Sequence, residues 1–251
     1  MRVLLVVGGA MQIGVGVGMA DATAQSPYAA NPERPTFATH AYAVAAGFAE
    51  LEQGLSVRGI RSLREATSWD VNFKVGISAH AQAALFGPLY VREARGGGVG
   101  DMGVALKFRA DVSRRTAVAL VSTATFPTGS AARGLGAGRA LGGLVAVVSA
   151  ELPWSLHVDV NAGPQGVGAG PPQWFTSVSA ARPWGRLGLT LEAFDFTPGG
   201  SGGRRQGLLA AVVVRLTDRV VADAGGVGGT LDGTPDQAFV GVTTNLGRLF
   251  R

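Results

Sequence analysis

The 251-residue sequence contains no cysteine, and only 16% of its residues are charged. The absence of cysteine excludes a disulfide framework, a CxxC redox motif and any thiolate zinc site. Soluble domains carry about 25% charged residues and about 7% glycine, whereas this chain is poor in charge and has 39 glycines. Its apolar fraction of 47% is too high for a disordered chain. The composition therefore indicates a folded protein that is unlike an ordinary cytosolic enzyme.

A long apolar run occurs only at the start of the chain. Met1 and Arg2 precede an apolar stretch, and Ala22-Thr23-Ala24 supplies the small-x-small pattern that signal peptidases recognise. We predict a cleaved signal peptide over residues 1–24, followed by an N-terminal segment over residues 25–35. An anchor helix is the alternative, which the glycines between positions 8 and 18 disfavour. Beyond the leader no run of about 18 apolar residues remains, which excludes a bundle of transmembrane helices.

Motifs for nucleic acid, nucleotides, metals or hydrolysis are lacking. The net charge is +5, but no basic run is longer than the pairs Arg114-Arg115 and Arg204-Arg205, which predicts no nucleic-acid partner. The glycine clusters at 96–100 and 134–138 lack the helix of a Rossmann fingerprint and the Gly-Lys-Ser/Thr ending of a P-loop. The three histidines lack HExxH spacing, and no GxSxG elbow is present. We therefore predict no cofactor, no metal and no catalytic residues.

Alternation of polar and apolar side chains is the main pattern of the remaining chain. Over residues 68–77, large apolar side chains such as Trp69 and Phe73 alternate with polar residues or glycine. Successive side chains of a strand point to opposite faces, so this strand has one apolar and one polar face. The pattern recurs over 101–112 and 156–162, and more faintly over nine further segments that begin with 36–52. The sequence thus predicts about twelve strands.

The predicted connections alternate in length along the chain. Short ones lie near residues 78–79, 113–115, 153–155, 183–186 and 217–219, and longer ones rich in Gly, Pro and Arg lie between them. Transmembrane barrels have short periplasmic turns and longer extracellular loops. We therefore predict an all-β fold, an antiparallel transmembrane β-barrel over residues 36–251, with Gly/Arg-rich extracellular loops. A soluble barrel, in which Trp69 and its apolar neighbours would fill the centre, is the alternative.

Several short motifs in order resemble one family. They are Gly98 to Arg109, Phe126-Pro127-Thr128-Gly129, Glu151-Leu152-Pro153, Leu156 to Gly163, Thr234-Pro235-Asp236 and Phe239 to Val242. Together they resemble the MetA-pathway of phenol degradation family of bacterial outer-membrane proteins. The resemblance implies an outer-membrane β-barrel that acts as a transporter or channel, and it carries over no catalytic residue. One departure is that Arg251 follows Phe250, where such strands usually end on an aromatic residue.

In a membrane barrel the polar faces of the strands look toward the lumen. The charged residues and the histidine that the alternation predicts to line the lumen are Asp70, Lys74, Asp101, Lys107, Arg109, Asp111, Glu151, His157, Asp159, Glu192, Arg215, Arg219 and Asp223. One interpretation is a network of opposite charges that fills and stiffens the barrel. The other is a narrow pore whose charges set its selectivity.

Arginines dominate the charge of the long predicted loops. Those predicted to meet lipopolysaccharide phosphates are Arg58, Arg61, Arg92, Arg95, Arg133, Arg139, Arg204 and Arg205. Arginine suits this role because its guanidinium binds phosphate in a bidentate way. The alternative is that these residues provide only solubility.

The predicted partners are therefore outer-membrane lipid, lipopolysaccharide and a small solute. We predict an outer-membrane transporter or channel that passes small, hydrophobic or aromatic solutes without covalent chemistry. A structural or surface-interaction barrel with a plugged lumen is the first alternative. An outer-membrane enzyme that uses His157 with a lumenal serine is the second. The sequence leaves open whether residues 25–40 plug the lumen.

Overall fold

We describe residues 26–60, 66–229 and 234–250 in a computed structural model. The predicted signal peptide lies outside these residues and stays a prediction. Thirteen strands are present: β1 (Phe48–Arg58), β2 (Ala66–Ser78), β3 (Ala81–Glu93), β4 (Gly96–Gly98), β5 (Met102–Ser113), β6 (Thr116–Phe126), β7 (Leu141–Leu152), β8 (Leu156–Val167), β9 (Gln173–Trp184), β10 (Leu187–Phe196), β11 (Arg205–Thr217), β12 (Val220–Gly229) and β13 (Gln237–Arg248).

Twelve of these strands close into one antiparallel barrel, which confirms the predicted fold class. Each pairs with the next along the chain, and β3 pairs with β5 because β4 is a three-residue strand folded back onto the end of β3. The first strand closes the barrel on the last, with Phe48 opposite Arg248. Closure leaves none of the twelve strands with an unpaired edge.

The two faces of the barrel wall differ in chemistry. On β5, Leu106 and Phe108 point outward with 47% and 57% of their surface exposed, whereas Lys107 between them is 3% exposed. On β2, Trp69 points outward and Lys74 is completely buried inside. Apolar side chains therefore cover the outside, and the buried charged side chains lie inside, the reverse of a soluble barrel. This is the orientation that the membrane-barrel prediction requires.

Short and long connections lie at opposite ends of the barrel, as the sequence predicts. The short-turn end carries the turns at 79–80, 114–115, 153–155, 185–186 and 218–219, together with the start of β1 and the end of β13. The long-loop end carries the other connections, of which the longest spans residues 127–140. No helix in the described part of the chain is long and apolar enough to cross a membrane.

The prediction of a first strand over residues 36–52 is wrong in its first part. The strand begins only at Phe48, and residues 26–47, which we call the luminal segment, run as irregular chain inside the barrel. Side chains between residues 36 and 44 alternate as they do in a strand. The backbone amides here, however, donate hydrogen bonds to side chains of the barrel wall and not to a neighbouring strand.

Candidate functional site

The luminal segment fills the interior of the barrel. Near the short-turn end, the Ala30 amide donates to the carbonyl of Asp218 at 2.8 Å. The segment rises to Phe37, which lies beside residues at the long-loop ends of several strands. It then returns to Gly47, where β1 begins. Because an irregular buried chain cannot satisfy its own backbone, each pass depends on polar side chains of the wall.

Lys74 of β2 binds the ascending limb of the segment. Its ammonium lies 2.8 Å from Glu52 Oε1 and 3.1 Å from Glu50 Oε2, both on β1. The same ammonium donates to the carbonyl of Asn31 at 2.8 Å. Glu52 in turn accepts a hydrogen bond from the backbone amide of Glu33 at 2.6 Å. The lysine and the two glutamates are buried, so charge pairing and hydrogen bonding together offset their desolvation.

Lys107 of β5 joins both limbs of the segment. Its ammonium lies 2.6 Å from Glu33 Oε1 on the ascending limb. It also donates to Thr39 Oγ1 at 2.9 Å and to the carbonyl of His40 at 2.8 Å on the descending limb. The chain has only these two lysines, and each is buried against the luminal segment. An ammonium suits such a place because it has three rotatable donors.

Glu192 of β10 holds the tip of the segment. Its two carboxylate oxygens accept hydrogen bonds from the amides of Phe37 and Ala38 at 2.8 and 2.7 Å. The ring of Phe37 packs on that of Phe194, with the ring centroids 4.5 Å apart. The tip is therefore fixed by one charged acceptor and by contact with an apolar part of the wall.

Two glycines of the wall make room for Arg34. Gly54 and Gly241 face each other across β1 and β13, and a Cβ at either position would lie 2.4 Å from the Arg34 guanidinium. This guanidinium pairs with Asp223 of β12 at 3.3 Å. A side chain at either glycine would displace Arg34, so the glycines here serve close approach rather than backbone flexibility.

Neutral side chains of the wall also bind the descending limb. The amides of Thr39, Ala41 and Val44 donate to Asn161 Oδ1 at 3.1 Å, to Ser149 Oγ at 2.7 Å and to Gln82 Oε1 at 2.9 Å, respectively. Val44 and Ala41 are almost fully buried.

His40 and Glu33 of the luminal segment lie outside the strands and share the charge of Lys107. Burial and the positive charge of Lys107 lower the pKa of His40 to about 3, although Glu33 and Asp159 oppose the shift. Neither ring nitrogen of His40 has a hydrogen-bond partner among the described residues. Burial alone would raise the pKa of Glu33, but the charges of Lys107 and Lys74 outweigh it and hold that pKa well below its ordinary value. The bound segment thus favours a neutral His40 and an ionised Glu33.

We expect acid to release the segment. When the segment is released, His40 regains its ordinary pKa near 6.5. The equilibrium constant for segment binding therefore falls as the pH drops from about 6.5 toward 3, by up to about tenfold per pH unit. Glu33 acts in the same direction below about pH 4.5. The native chain lacks cysteine, so maleimide labelling of Val44→Cys, normalised to exposed His80→Cys, measures release. The labelling ratio should rise about 25-fold from pH 7 to pH 5, and His40→Asn should remove most of this rise. A ratio that stays flat in the parent protein would contradict the assignment.

A cavity of about 310 Å³ lies above the tip, at the long-loop end. Phe37 and Phe194 lie on its wall together with three charged residues, Arg58, Asp70 and Arg205. We call it the mouth cavity. Phe37 is the residue of the luminal segment that lines it.

The structure places eleven of the predicted lumen residues on the inward set of strand positions: Asp70, Lys74, Lys107, Arg109, Asp111, Glu151, His157, Asp159, Glu192, Arg215 and Asp223. Several are brought into contact with one another, namely Arg109 with Asp111, and Glu151 and Asp159 with His157.

Four of the predicted site residues lie elsewhere. Asp101 precedes β5 and accepts hydrogen bonds from Gly129 and Ala137, so it orders the 127–140 loop instead of lining the lumen. Arg219 lies in a turn at the short-turn end, over the ring of Tyr28. Arg58 and Arg205 were predicted to face lipid phosphates, but both point inward from strand ends and line the mouth cavity. The alternation places them on the inner face, which the loop assignment overlooked.

The remaining described arginines of that set lie at the long-loop end. Arg92, Arg95 and Arg139 are exposed there. Arg133 donates to the carbonyl of Gly97 at 3.1 Å, and Arg204 pairs with Asp195 at 2.9 Å. Arg61 falls outside the described residues.

His157 lies in a cluster of charges rather than beside a nucleophile. Its Nδ1 is 2.7 Å from Glu151 and its Nε2 is 2.9 Å from Asp159. Ser149 donates to Asp159 at 2.5 Å, and no described serine is hydrogen-bonded to His157. The arrangement pairs charges near the short-turn end and supplies no free base. The described residues also contain no group of three or more His, Asp or Glu side chains suited to a metal.

Sequence reasoning missed the residues of the segment and several of their partners. Glu50 and Glu52 are alternate residues of β1, and Asn161 continues the alternation of β8, so period-two patterning could have identified these wall residues. Glu33 and Arg34 have no such pattern. Their positions follow only from the packing inside the closed barrel.

No known family model matches the chain, and no curated protein matches it. The resemblance to the phenol degradation family therefore stays a prediction. Among solved structures, an outer membrane channel from Pseudomonas putida F1 is 12% identical, with a TM-score of 0.60, over 84% of this chain and 100% of that one. The NanC porin is 9% identical, with a TM-score of 0.54, over 79% and 100%. The chain thus has the barrel fold of outer-membrane channels and porins.

Proposed function

We propose that the protein is an outer-membrane channel for small solutes in which the luminal segment is the gate. The observation that carries this proposal is that side-chain hydrogen bonds and ion pairs hold a buried segment that joins the wall at residues 46–48. Because such contacts break and form reversibly, the segment can leave the lumen and return, as a gate must. A permanent structural plug would not need reversible contacts. The exposed apolar outer face supports a position in the membrane.

Gly47 is the hinge in this proposal. It has a φ of 80°, which glycine adopts readily, and it joins the segment to β1. Movement of the segment toward the short-turn end would uncover the lysines and glutamates on one side of the lumen. On the other side it would uncover an apolar wall that includes Phe175, Phe194 and Leu209. This wall supports a solute that is small and hydrophobic or aromatic, and passage requires no covalent step.

The long-loop end faces the outside in this proposal. The exposed Arg92, Arg95 and Arg139 then lie where lipopolysaccharide phosphates are found. The leader predicted over residues 1–24 fits the same location.

A structural barrel with a plugged lumen is the second candidate. The extent of the hydrogen-bond network between the wall and the segment favours this candidate, because Lys74, Lys107 and Glu192 all bind the segment. The two candidates differ in whether the segment ever leaves.

Conductance in planar bilayers tests the proposal. We expect the parent protein to show small or brief openings, and a variant lacking residues 26–46 to show a conductance at least about fivefold larger, because the lumen then holds water. Heat-modifiable migration in gels verifies that both barrels are folded. A parent protein that stays silent while the folded, inserted deletion variant conducts would overturn the channel and leave the structural barrel.

A further inference from the structure

The mouth cavity combines an apolar surface with charges of both signs. Phe37 and Phe194 supply aromatic surface, and a cavity of about 310 Å³ is large enough for a molecule with one aromatic ring. What such a cavity would bind depends on which of its charges are already paired. The inference drawn from it rests on the proposed function, because it names the substrate class of that channel.

Arg205 is the cation without an acid. Its guanidinium lies over the ring of Phe196, 4.2 Å from the centroid, and no described side chain or carbonyl accepts a hydrogen bond from it. A guanidinium stacked on a ring still has its N–H groups directed outward in its own plane. By contrast, Arg58 of the same cavity pairs with Glu93 at 3.0 Å. Arg205 is therefore the group that is free to receive an anion.

The aromatic rings near Arg205 form a packed cluster, of which Phe37 and Phe194 line the mouth cavity. Phe196 stacks on Phe175 with the centroids 4.6 Å apart, and Phe37 contacts Phe194 at 4.5 Å. A flat ring placed here contacts aromatic groups while its substituent reaches the guanidinium. Aromatic pairs add about 0.5–1.5 kcal/mol to simple area burial, which favours an aryl group over an alkyl chain of similar size.

We propose that the mouth cavity binds a small aromatic monocarboxylate, with the carboxylate on Arg205 and the ring on the surface formed by Phe37 and Phe194. Asp70 also lines the cavity, where its Oδ2 accepts a hydrogen bond from Ser68 at 2.6 Å. Its negative charge disfavours a second carboxylate on the ligand, which restricts the class to monoanions.

Phe37 makes this site part of the gate. It belongs to the luminal segment, so a ligand that contacts it binds the closed state differently from the open state. Thermodynamic linkage then applies to the two binding equilibria. Ligand binding changes the equilibrium between the bound and the released segment by the same factor as segment release changes the ligand affinity.

Calorimetric titration of the full protein in detergent micelles tests the assignment. The probes are benzoate, the neutral benzyl alcohol, the cationic benzylamine and the dianionic phthalate. We expect benzoate to bind about tenfold more tightly than each of the others, as one charge-assisted hydrogen-bonded pair allows. Arg205→Gln should abolish this preference for benzoate. Arg204→Gln is the matched control, since Arg204 pairs with Asp195 on the outer face and should leave the preference unchanged.

Two results would overturn the assignment. One is that benzylamine binds most tightly, which would make Asp70 the determinant. The other is that Arg205→Gln and Arg204→Gln bind benzoate equally well. Failure of the site is distinguishable from failure of the channel. If the barrel conducts but does not prefer benzoate, only the proposed binding site is refuted. If the barrel is silent but prefers benzoate, only the proposed channel function is refuted.

Discussion

Replacing Lys107 with methionine is expected to release the luminal segment from the barrel. The substitution leaves Glu33 without its cation at 2.6 Å and removes the donor that joins the two limbs at Thr39 and His40. Removing one partner of a buried ion pair costs about 3–5 kcal/mol, because the other charge stays desolvated. The Glu33 side chain is 16% exposed, which reduces this figure, so we expect a loss of about 2–3 kcal/mol in segment binding, which corresponds to a factor of about 30–150.

Labelling of Val44→Cys measures this release, because Val44 is 2% exposed while the segment is bound. The labelling rate should rise by the same factor in the Lys107→Met background. Arg215→Met is the control, since it removes an inward cation that has no side-chain partner in the segment. Adding Glu33→Gln to Lys107→Met should recover part of the binding, because the stranded charge is then gone. Equal labelling in all four proteins would refute the role given to Lys107.

An arginine at Leu106 is expected to destabilise the barrel when it is embedded in a bilayer. Leu106 lies near the middle of β5 on the outer face, with 47% of its surface exposed. Arginine on the lipid face of a barrel costs about 2–4 kcal/mol at the midplane and about 0–1 kcal/mol near the interface. Val112 on the same strand, close to the short turn, provides the matched position at the interface.

Denaturant unfolding in lipid vesicles measures the free energy of unfolding of each variant. Leu106→Arg should lower the free energy of unfolding by at least about 2 kcal/mol more than Val112→Arg does. If both substitutions were equally tolerated, the outer face would be in contact with water, and the membrane position proposed for the barrel would be wrong.

The wall of the barrel could be predicted from local pattern, but its contents could not. Alternation over 68–77 correctly separates Trp69 from Lys74, because a strand must direct successive side chains to opposite faces. The same rule fails for residues 36–45, where alternating side chains coincide with chain that lies in no strand. Lys107 could be placed on the inner face, yet nothing in its neighbourhood indicates that its partner is Glu33, 74 residues away.

The mouth cavity illustrates the same limit. Arg205 was assigned to a loop because it follows a glycine-rich stretch, whereas its register on β11 places it on the inner face with Gly207 and Leu209. The cavity depends on the ends of strands that are distant in sequence, and only closure of the barrel brings them together.

The partners of the luminal segment impose an order on biogenesis. Phe37 is held by Glu192, 155 positions later, and Arg34 by Asp223, 189 positions later. Both attachment points belong to strands near the end of the chain, so the segment cannot be fully docked until β10 and β12 are in place. Contacts so remote along the chain form slowly, since a long loop must close first. A newly inserted molecule should therefore pass through an interval in which its interior is open before it seals itself.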